Sequence, residues 1–206
     1  MPVHVVPVDL LLGGVGLPRD TARARLGIGG GPAAVLLGQV RPYKGIRLLS
    51  EAWPHVHAVS PTSRLFVVGE AYDSADLARL EGSAAVEVRR GFVSDEEVDL
   101  WAAAADVLVL PYSVGSHSGI LHRGLAMGTP VLASPPLAEE VYRTGAGQIV
   151  PLDARAWADA LAAALGDRPL PRPATPTGQG TARGTLDVYA AVLSERRDRR
   201  RQGSSR

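Results

Sequence analysis

Short apolar runs rich in β-branched residues alternate with segments of helical pattern along most of this chain. Several runs are apolar throughout, which is typical of strands buried on both faces of a parallel sheet. The pattern predicts strands over residues 3–8, 34–40, 64–69, 86–93, 107–112, 130–134 and 147–151. It predicts helices near residues 18–26, 45–58, 73–82, 95–105, 118–127, 138–144 and 153–165. The alternation indicates an α/β fold, a doubly wound and mainly parallel sheet flanked by helices.

The regular pattern stops after Gly166, which divides the 206 residues into a body and a C-terminal extension. Residues 1–166 are predicted to form one Rossmann-like domain. Residues 167–181 are rich in proline, as in an extended linker. Residues 182–197 are predicted to form a helix that packs back on the body. Residues 198–206 are predicted to be a disordered basic tail that keeps the chain soluble, or else a surface for anionic lipid or nucleic acid.

Composition excludes several classes of protein. Hydrophobic residues make up 46% of the chain and charged residues 21%, as in an ordinary soluble globular protein. No apolar run approaches the roughly 20 residues of a membrane span, and the first residues lack a signal-peptide pattern, so we expect a cytoplasmic protein. Cysteine is absent and the five histidines lack metal-ligand spacing. The chain also lacks a P-loop motif and the GxSxG motif of α/β-hydrolases.

One lysine stands out, because the formal net charge of +1 includes 22 basic residues of which 21 are arginine. This residue, Lys44, lies in the segment GQVRPYKGI that follows a predicted strand. Gly38 permits a close backbone approach, Arg41 and Lys44 supply two cations, and Gly45 opens the next helix. Two cations beside a helix N-terminus suit a phosphate group. The alternative is a surface turn with solvated charges.

A second loop combines small residues with a histidine. Residues 115–119 lead directly into a predicted helix, so free backbone N–H groups could hold an anion. Ser116 or Ser118 is the expected N-cap. His117 either projects near that anion or is a solvated loop residue. Arg123 either reaches the same pocket or lies on the exposed helix face. No catalytic residue is identified, and His117 and Arg123 are the candidates.

Four segments occur in the order GQVRPYKGIRLLSEAW, RLFVVGEA, VRRGFVSDEEVDLWAAAADVLVLPY and SGILHRGLAMGTPVLAS. This ordered series resembles the group 1 (family 4) glycosyltransferases. The likeness is to the C-terminal, nucleotide-sugar-donor half of enzymes with two Rossmann-like domains, the B-type fold. It covers roughly residues 1–165.

The resemblance implies a site for a nucleoside diphosphate sugar. Lys44 and the backbone of Ser118, Gly119 and Ile120 would hold the diphosphate. Such enzymes need no metal or other cofactor, because cations and amides stabilise the leaving diphosphate. The family transfers sugar with retention of anomeric configuration.

The nucleobase would meet main-chain groups near Phe92 and Val93, at the end of another predicted strand.

Three residues depart from the family pattern: Gln39 replaces an arginine, and Gly115 and Arg123 replace two glutamates. An arginine cannot accept the ribose hydrogen bonds that the second glutamate normally takes.

The sequence therefore predicts the donor-binding half of a retaining glycosyltransferase, incomplete without an N-terminal half that supplies the acceptor site. The chain would be a fragment, the product of a gene that lost its N-terminal half, or one subunit of a split enzyme. The expected partners are a nucleotide sugar and an N-terminal domain or subunit, with no nucleic acid. Membrane contact, peripheral and at the inner face, is expected only if the acceptor is linked to lipid. The alternative is a non-catalytic binding protein that retains the fold.

Overall fold

A computed structural model describes residues 17–72 and 74–173. The predicted strand at 3–8, the rest of the linker from residue 174, the helix at 182–197 and the tail at 198–206 lie outside these residues. No helix within the described part of the chain is long and apolar enough to cross a membrane.

The described residues form a six-stranded parallel sheet flanked by helices. The strands are β1 (Ala33–Leu37), β2 (Arg64–Gly69), β3 (Val86–Arg90), β4 (Val107–Leu110), β5 (Val131–Ala133) and β6 (Gly147–Ile149). The helices are α1 (Arg19–Leu26), α2 (Ile46–Val59), α3 (Ala75–Glu81), α4 (Asp95–Ala104), α5 (Gly119–Ala126), α6 (Ala138–Thr144) and α7 (Ala154–Leu165). Every predicted element within the described range is present, and the predicted α/β fold is confirmed.

The core lies on both faces of the central strands. β1 and β4 are buried throughout. Leu65 and Val67 of β2 belong to the core cluster that includes Trp53 of α2 and Trp157 of α7. Phe66, between them, points to the opposite face and lies 5.1 Å from the ring of Trp101 in α4. The continuous apolar runs reflect this burial on two faces.

Strand order places a crevice between the two central strands. The order across the sheet is β3-β2-β1-β4-β5-β6, so the chain builds outward from β1 and then outward from β4 on the other side. The register pairs Ala34 with Val107, which brings the carboxyl ends of β1 and β4 side by side. In open α/β sheets this switch point is where ligands bind.

The strands end earlier than the apolar pattern indicates. Strand 34–40 ends at Leu37 and strand 86–93 at Arg90, each directly before a glycine with positive φ, Gly38 (89°) and Gly91 (134°). Beyond Gly38, Val40 makes an isolated parallel bridge to Ala71. A capping box formed by Ser94 and Glu97, a signal contained in four residues of sequence, begins α4. Helix ends were therefore easier to place than strand ends, since their signals are local.

Candidate functional site

The loop between β1 and α2 packs tightly against the end of β4. After Gly38, a short 3₁₀ turn over Pro42–Lys44 leads to Gly45, which adopts φ 73° at the start of α2. A Cβ at Gly45 would collide with the carbonyl oxygen of Pro111. This glycine is therefore required both by its backbone conformation and by the neighbouring strand.

Lys44, the chain's single lysine, belongs to this loop, and it is buried. Lys44 is only 5% exposed, and its Nζ donates a 2.7 Å hydrogen bond to the carbonyl oxygen of Leu37. Nζ also lies 5.3 Å from the ring centre of Tyr112. Burial lowers the pKa of Lys44 to about 8 from its usual 10.5. No carboxylate of the described residues pairs with it, so a buried ammonium group at this strand end lacks a counter-ion.

The loop after β4 is tied to the loop after β1. The Ser113 N–H donates a 2.7 Å hydrogen bond to the Tyr43 carbonyl oxygen, and the rings of Tyr43 and Tyr112 meet edge to face at 5.6 Å. Burial raises the pKa of Tyr112 to about 12, so this phenol stays neutral at physiological pH. Its hydroxyl lies 3.5 Å from Ser118 Oγ. Contacts between the two loops thus run from Tyr43 to the start of α5.

Ser118, one of the two expected N-caps, is the residue that begins α5. Its Oγ accepts a hydrogen bond from the Leu121 N–H at 3.3 Å. The amides of Gly119 and Ile120, in the first turn of the helix, have no intrahelical carbonyl to bond. They are the kind of donor that binds an anion at a helix N-terminus.

Three of the predicted diphosphate ligands meet at one point. A Cβ built on Gly38 would lie 3.1 Å from Lys44 Nζ and 3.9 Å from side-chain atoms of Ile120. The lysine and the first turn of α5 therefore approach each other across Gly38, at the switch point between β1 and β4. An atom larger than hydrogen on this glycine would enter the space between them.

Sequence reasoning missed Glu140, a buried residue of α6 that bonds to the same helix N-terminus. Its Oε2 accepts the Ser118 N–H at 2.9 Å, and its Oε1 lies 2.7 Å from His122 Nε2. The Ser118 amide, one of the predicted diphosphate donors, therefore already has a partner within the protein. The available signal was position: residue 140 shares a helical face with the buried Leu137 and Val141.

Two other predicted residues lie on the rim of the β4–α5 loop. Ser116 is exposed, and the His117 side chain is 84% exposed. His117 Nδ1 lies 3.6 Å from Glu140 Oε1. Its exposure is that of a solvated loop residue, the second of the two alternatives for His117.

Arg41 lines a neighbouring cavity that Lys44 does not line. The Arg41 guanidinium stacks 4.4 Å above the ring of Tyr72 and donates a 3.4 Å hydrogen bond to Gln39. The cavity has a volume of about 240 Å³ and its walls include Arg41, Tyr72 and Asp76. The two predicted cations therefore face different spaces.

Arg123 is engaged by α4. Its guanidinium donates to Asp99 at 2.6 Å and to Asp95 at 2.8 Å. Neither predicted position for this side chain, the anion pocket or the exposed helix face, describes this pairing.

Phe92, just before α4, is 91% exposed, and Val93 follows it. Among the described residues, no group of three His, Cys, Asp or Glu side chains could hold a metal ion.

Comparison with known proteins identifies the family. The model of the family described as "Glycosyl transferases group 1" matches residues 31–167. The D-inositol 3-phosphate glycosyltransferase of Nocardioides sp. is 34% identical over an alignment that covers 93% of this chain and 48% of that protein. The chain thus spans about half the length of this relative.

Solved structures share the fold. The C-terminal domain of a group 1 family glycosyltransferase (LpcC) from Francisella tularensis superposes with a TM-score of 0.61 at 20% identity, covering 85% of this chain and 98% of that domain. Anabaena HepE, solved in complex with UDP and glucose, gives a TM-score of 0.62 at 18% identity, covering 93% of this chain and 53% of HepE. From its sequence and its fold, this chain belongs to the group 1 glycosyltransferase family.

Proposed function

We propose that this chain is the donor-binding half of a glycosyltransferase and that it binds the diphosphate of a nucleotide sugar between Lys44 and the start of α5. The observation that carries the proposal is the buried Lys44 ammonium group, which no carboxylate of the described residues pairs with and which approaches Ile120 across Gly38. A buried cation without a counter-ion is costly unless a ligand supplies the opposite charge. A diphosphate supplies it.

The amides that complete this site are those of Gly119 and Ile120. Both lie in the first turn of α5, where the helix dipole favours an anion. The Ser118 amide is left out of the proposed site, because its N–H already donates a hydrogen bond to Glu140. One ammonium group and two amides would stabilise the charge that develops on the departing nucleoside diphosphate.

The nucleobase is proposed to lie against the segment that ends β3. Phe92 presents its ring to solvent there, and an exposed aromatic ring is a suitable stacking surface for a base. HepE, which shares the fold, has been solved with UDP and glucose. That structure supports a nucleotide sugar as the ligand class, and the choice of base and sugar stays open to experiment.

Transfer with retention, and an acceptor site on a separate N-terminal domain or subunit, are further parts of the proposal. They rest on family membership and on the 48% of its relative's length that the chain spans. We expect the 206-residue chain to bind nucleotide and to transfer sugar slowly or not at all. Rapid transfer by the purified chain would refute this expectation.

A non-catalytic binding protein is the second candidate function. Gly115 and Arg123 favour it, because they stand where the family carries two glutamates, the second of them for the ribose. The Arg123 guanidinium is instead paired with Asp95 and Asp99. Such a protein would retain the fold without the affinity for a nucleoside diphosphate.

Calorimetric titration with UDP, GDP and ADP tests the proposal. We expect at least one nucleotide to bind, and Lys44→Ala to weaken it by at least about tenfold, the loss typical of one charge-assisted interaction. Arg155→Ala is the matched control, since Arg155 is an exposed cation that pairs with Asp159 on α7. Absence of binding to all three nucleotides, with Lys44→Ala indistinguishable from the parent, would favour the non-catalytic protein.

A further inference from the structure

Glu140 is a buried carboxylate whose two oxygens both bond to α5, although it lies 22 residues beyond Ser118 in the chain. The residue is 3% exposed, and its side chain is 2% exposed. Oε2 accepts the Ser118 N–H and Oε1 contacts His122. A carboxylate is stable at such a place only when hydrogen-bond donors satisfy it, and a helix N-terminus supplies them.

We propose that Glu140 is a positioning residue for the diphosphate site: it holds the turn at Ser118 so that the Gly119 and Ile120 amides face the ligand beside Lys44. This inference rests on the proposed function. Glu140 does not touch the diphosphate. It acts by fixing the residue that precedes the two binding amides.

Two attachments on α5 make this positioning specific. The Ser118 amide fixes the start of the helix, and His122, about one turn later, fixes its rotation. With either attachment alone, the first turn could still rotate about the remaining contact. With both, the direction of the Gly119 and Ile120 N–H bonds is set.

The position of Ser118 also bears on Lys44. Ser118 Oγ lies 3.5 Å from the Tyr112 hydroxyl, and the Tyr112 ring lies 5.3 Å from Lys44 Nζ. The amides and the ammonium group are thus connected through Ser118 and Tyr112. A shift of Ser118 would alter both parts of the anion site, which distinguishes Glu140 from a residue that only stabilises the fold.

Glu140 also limits which amide the ligand can use. Its carboxylate occupies the Ser118 N–H, and a second anion is repelled from that donor. The diphosphate must therefore bind one residue further along, at Gly119.

Two substitutions separate the reach of this side chain from its charge. Glu140→Gln keeps the length and an oxygen that accepts the Ser118 N–H, but it removes the charge. Glu140→Asp keeps the charge, but it is one methylene too short to bond Ser118. Glu140→Ala removes both, and Glu139→Ala, at the exposed neighbouring position, is the control.

The experiment is calorimetric titration of the full chain with whichever of UDP, GDP and ADP binds the parent, with thermal unfolding to verify that each variant is folded. We expect Glu140→Gln to bind within about threefold of the parent and Glu140→Asp and Glu140→Ala to lose at least about tenfold, the effect of a misplaced charged hydrogen bond. Glu139→Ala should bind as the parent does. Hydrogen exchange of the Ser118 amide should accelerate in Glu140→Asp and stay slow in Glu140→Gln.

Three results would overturn the inference. Parental affinity in folded Glu140→Asp would show that the reach to Ser118 does not matter. A loss in Glu140→Gln equal to that in Glu140→Asp would assign the effect to charge rather than position. If no nucleotide binds the parent, the proposed function fails, and this inference fails with it. If the parent binds and Glu140→Asp binds equally well, only this inference is overturned.

Discussion

Replacing Lys44 with methionine is expected to stabilise the protein at neutral pH while removing its affinity for nucleoside diphosphates. Methionine is also unbranched and fills a similar volume, but it carries no charge to bury. In the parent, Lys44 is 5% exposed, and the partners of its ammonium group among the described residues are the Leu37 carbonyl oxygen and the face of Tyr112. The substitution therefore separates what the lysine contributes to binding from what its burial costs the fold.

The magnitude follows from the pKa. Burial lowers the pKa of Lys44 from 10.5 to about 8. At pH 7 the charged form is therefore disfavoured in the folded chain by about 3 kcal/mol relative to the unfolded chain. Methionine avoids this penalty but loses the hydrogen bond to Leu37, worth about 1 kcal/mol. The free energy of unfolding should thus rise by about 2 kcal/mol.

The pH dependence gives a sharper test than a single measurement. Between pH 8 and 10.5 the unfolded parent binds more protons at Lys44 than the folded parent does, so the parent gains stability as pH rises. The methionine variant lacks this gain. Its advantage should shrink through this range and reverse above pH 10.5, where the neutral amine still donates to Leu37.

Urea unfolding followed by the fluorescence of the buried Trp53 and Trp157 measures these free energies. Arg155→Met, at an exposed position, is the control and should follow the parent at every pH. A difference between Lys44→Met and the parent that stays constant from pH 7 to 10 would refute the reasoning, because the burial of the charge would then not limit stability. Undiminished nucleotide binding by Lys44→Met would refute the role of the lysine in the site.

Three further predictions concern the same site. Nucleotide affinity should be nearly constant from pH 6 to 7.5 and should fall by up to about tenfold per pH unit above pH 8, because Lys44 of the free protein then loses the proton that the bound diphosphate requires. Calorimetry at several pH values measures this affinity, and a flat profile to pH 9.5 would contradict the prediction. Gly45→Ala should lower the free energy of unfolding by about 2 kcal/mol or more, since φ is 73° and the new Cβ meets Pro111, whereas Gly30→Ala, in open space, should change the melting temperature little. Phe92→Ala should leave the melting temperature unchanged, because the ring is 91% exposed, and should weaken nucleotide binding by about 1 kcal/mol if the ring stacks on the base; equal affinity would place the base elsewhere.

The sheet and its helices were predictable because their signals are local and repeated. Continuous apolar runs indicated strands buried on two faces, and the Ser94–Glu97 capping box is contained within four residues. Lys44 was found by composition, since it survives alone among 22 basic residues. Its burial, however, depends on Tyr112, which is far away in the chain.

The side-chain pairings of the site were not predictable, because each joins residues from separate elements. Glu140 meets Ser118 and His122 from 22 and 18 residues away. Arg123 meets Asp99 across 24 residues. Such a contact leaves no short motif in the sequence. Glu140 or Arg123, taken alone, is also compatible with a solvated position on the surface.

Gly45 lies so close to Pro111 that a Cβ would not fit between them, so the loop that follows β1 packs directly on the residue that follows β4. A nucleotide that arrives at this edge therefore meets donors that are already arranged, and little conformational entropy is lost on association. On the proposed function, the packing around one glycine therefore contributes to donor affinity without touching the donor.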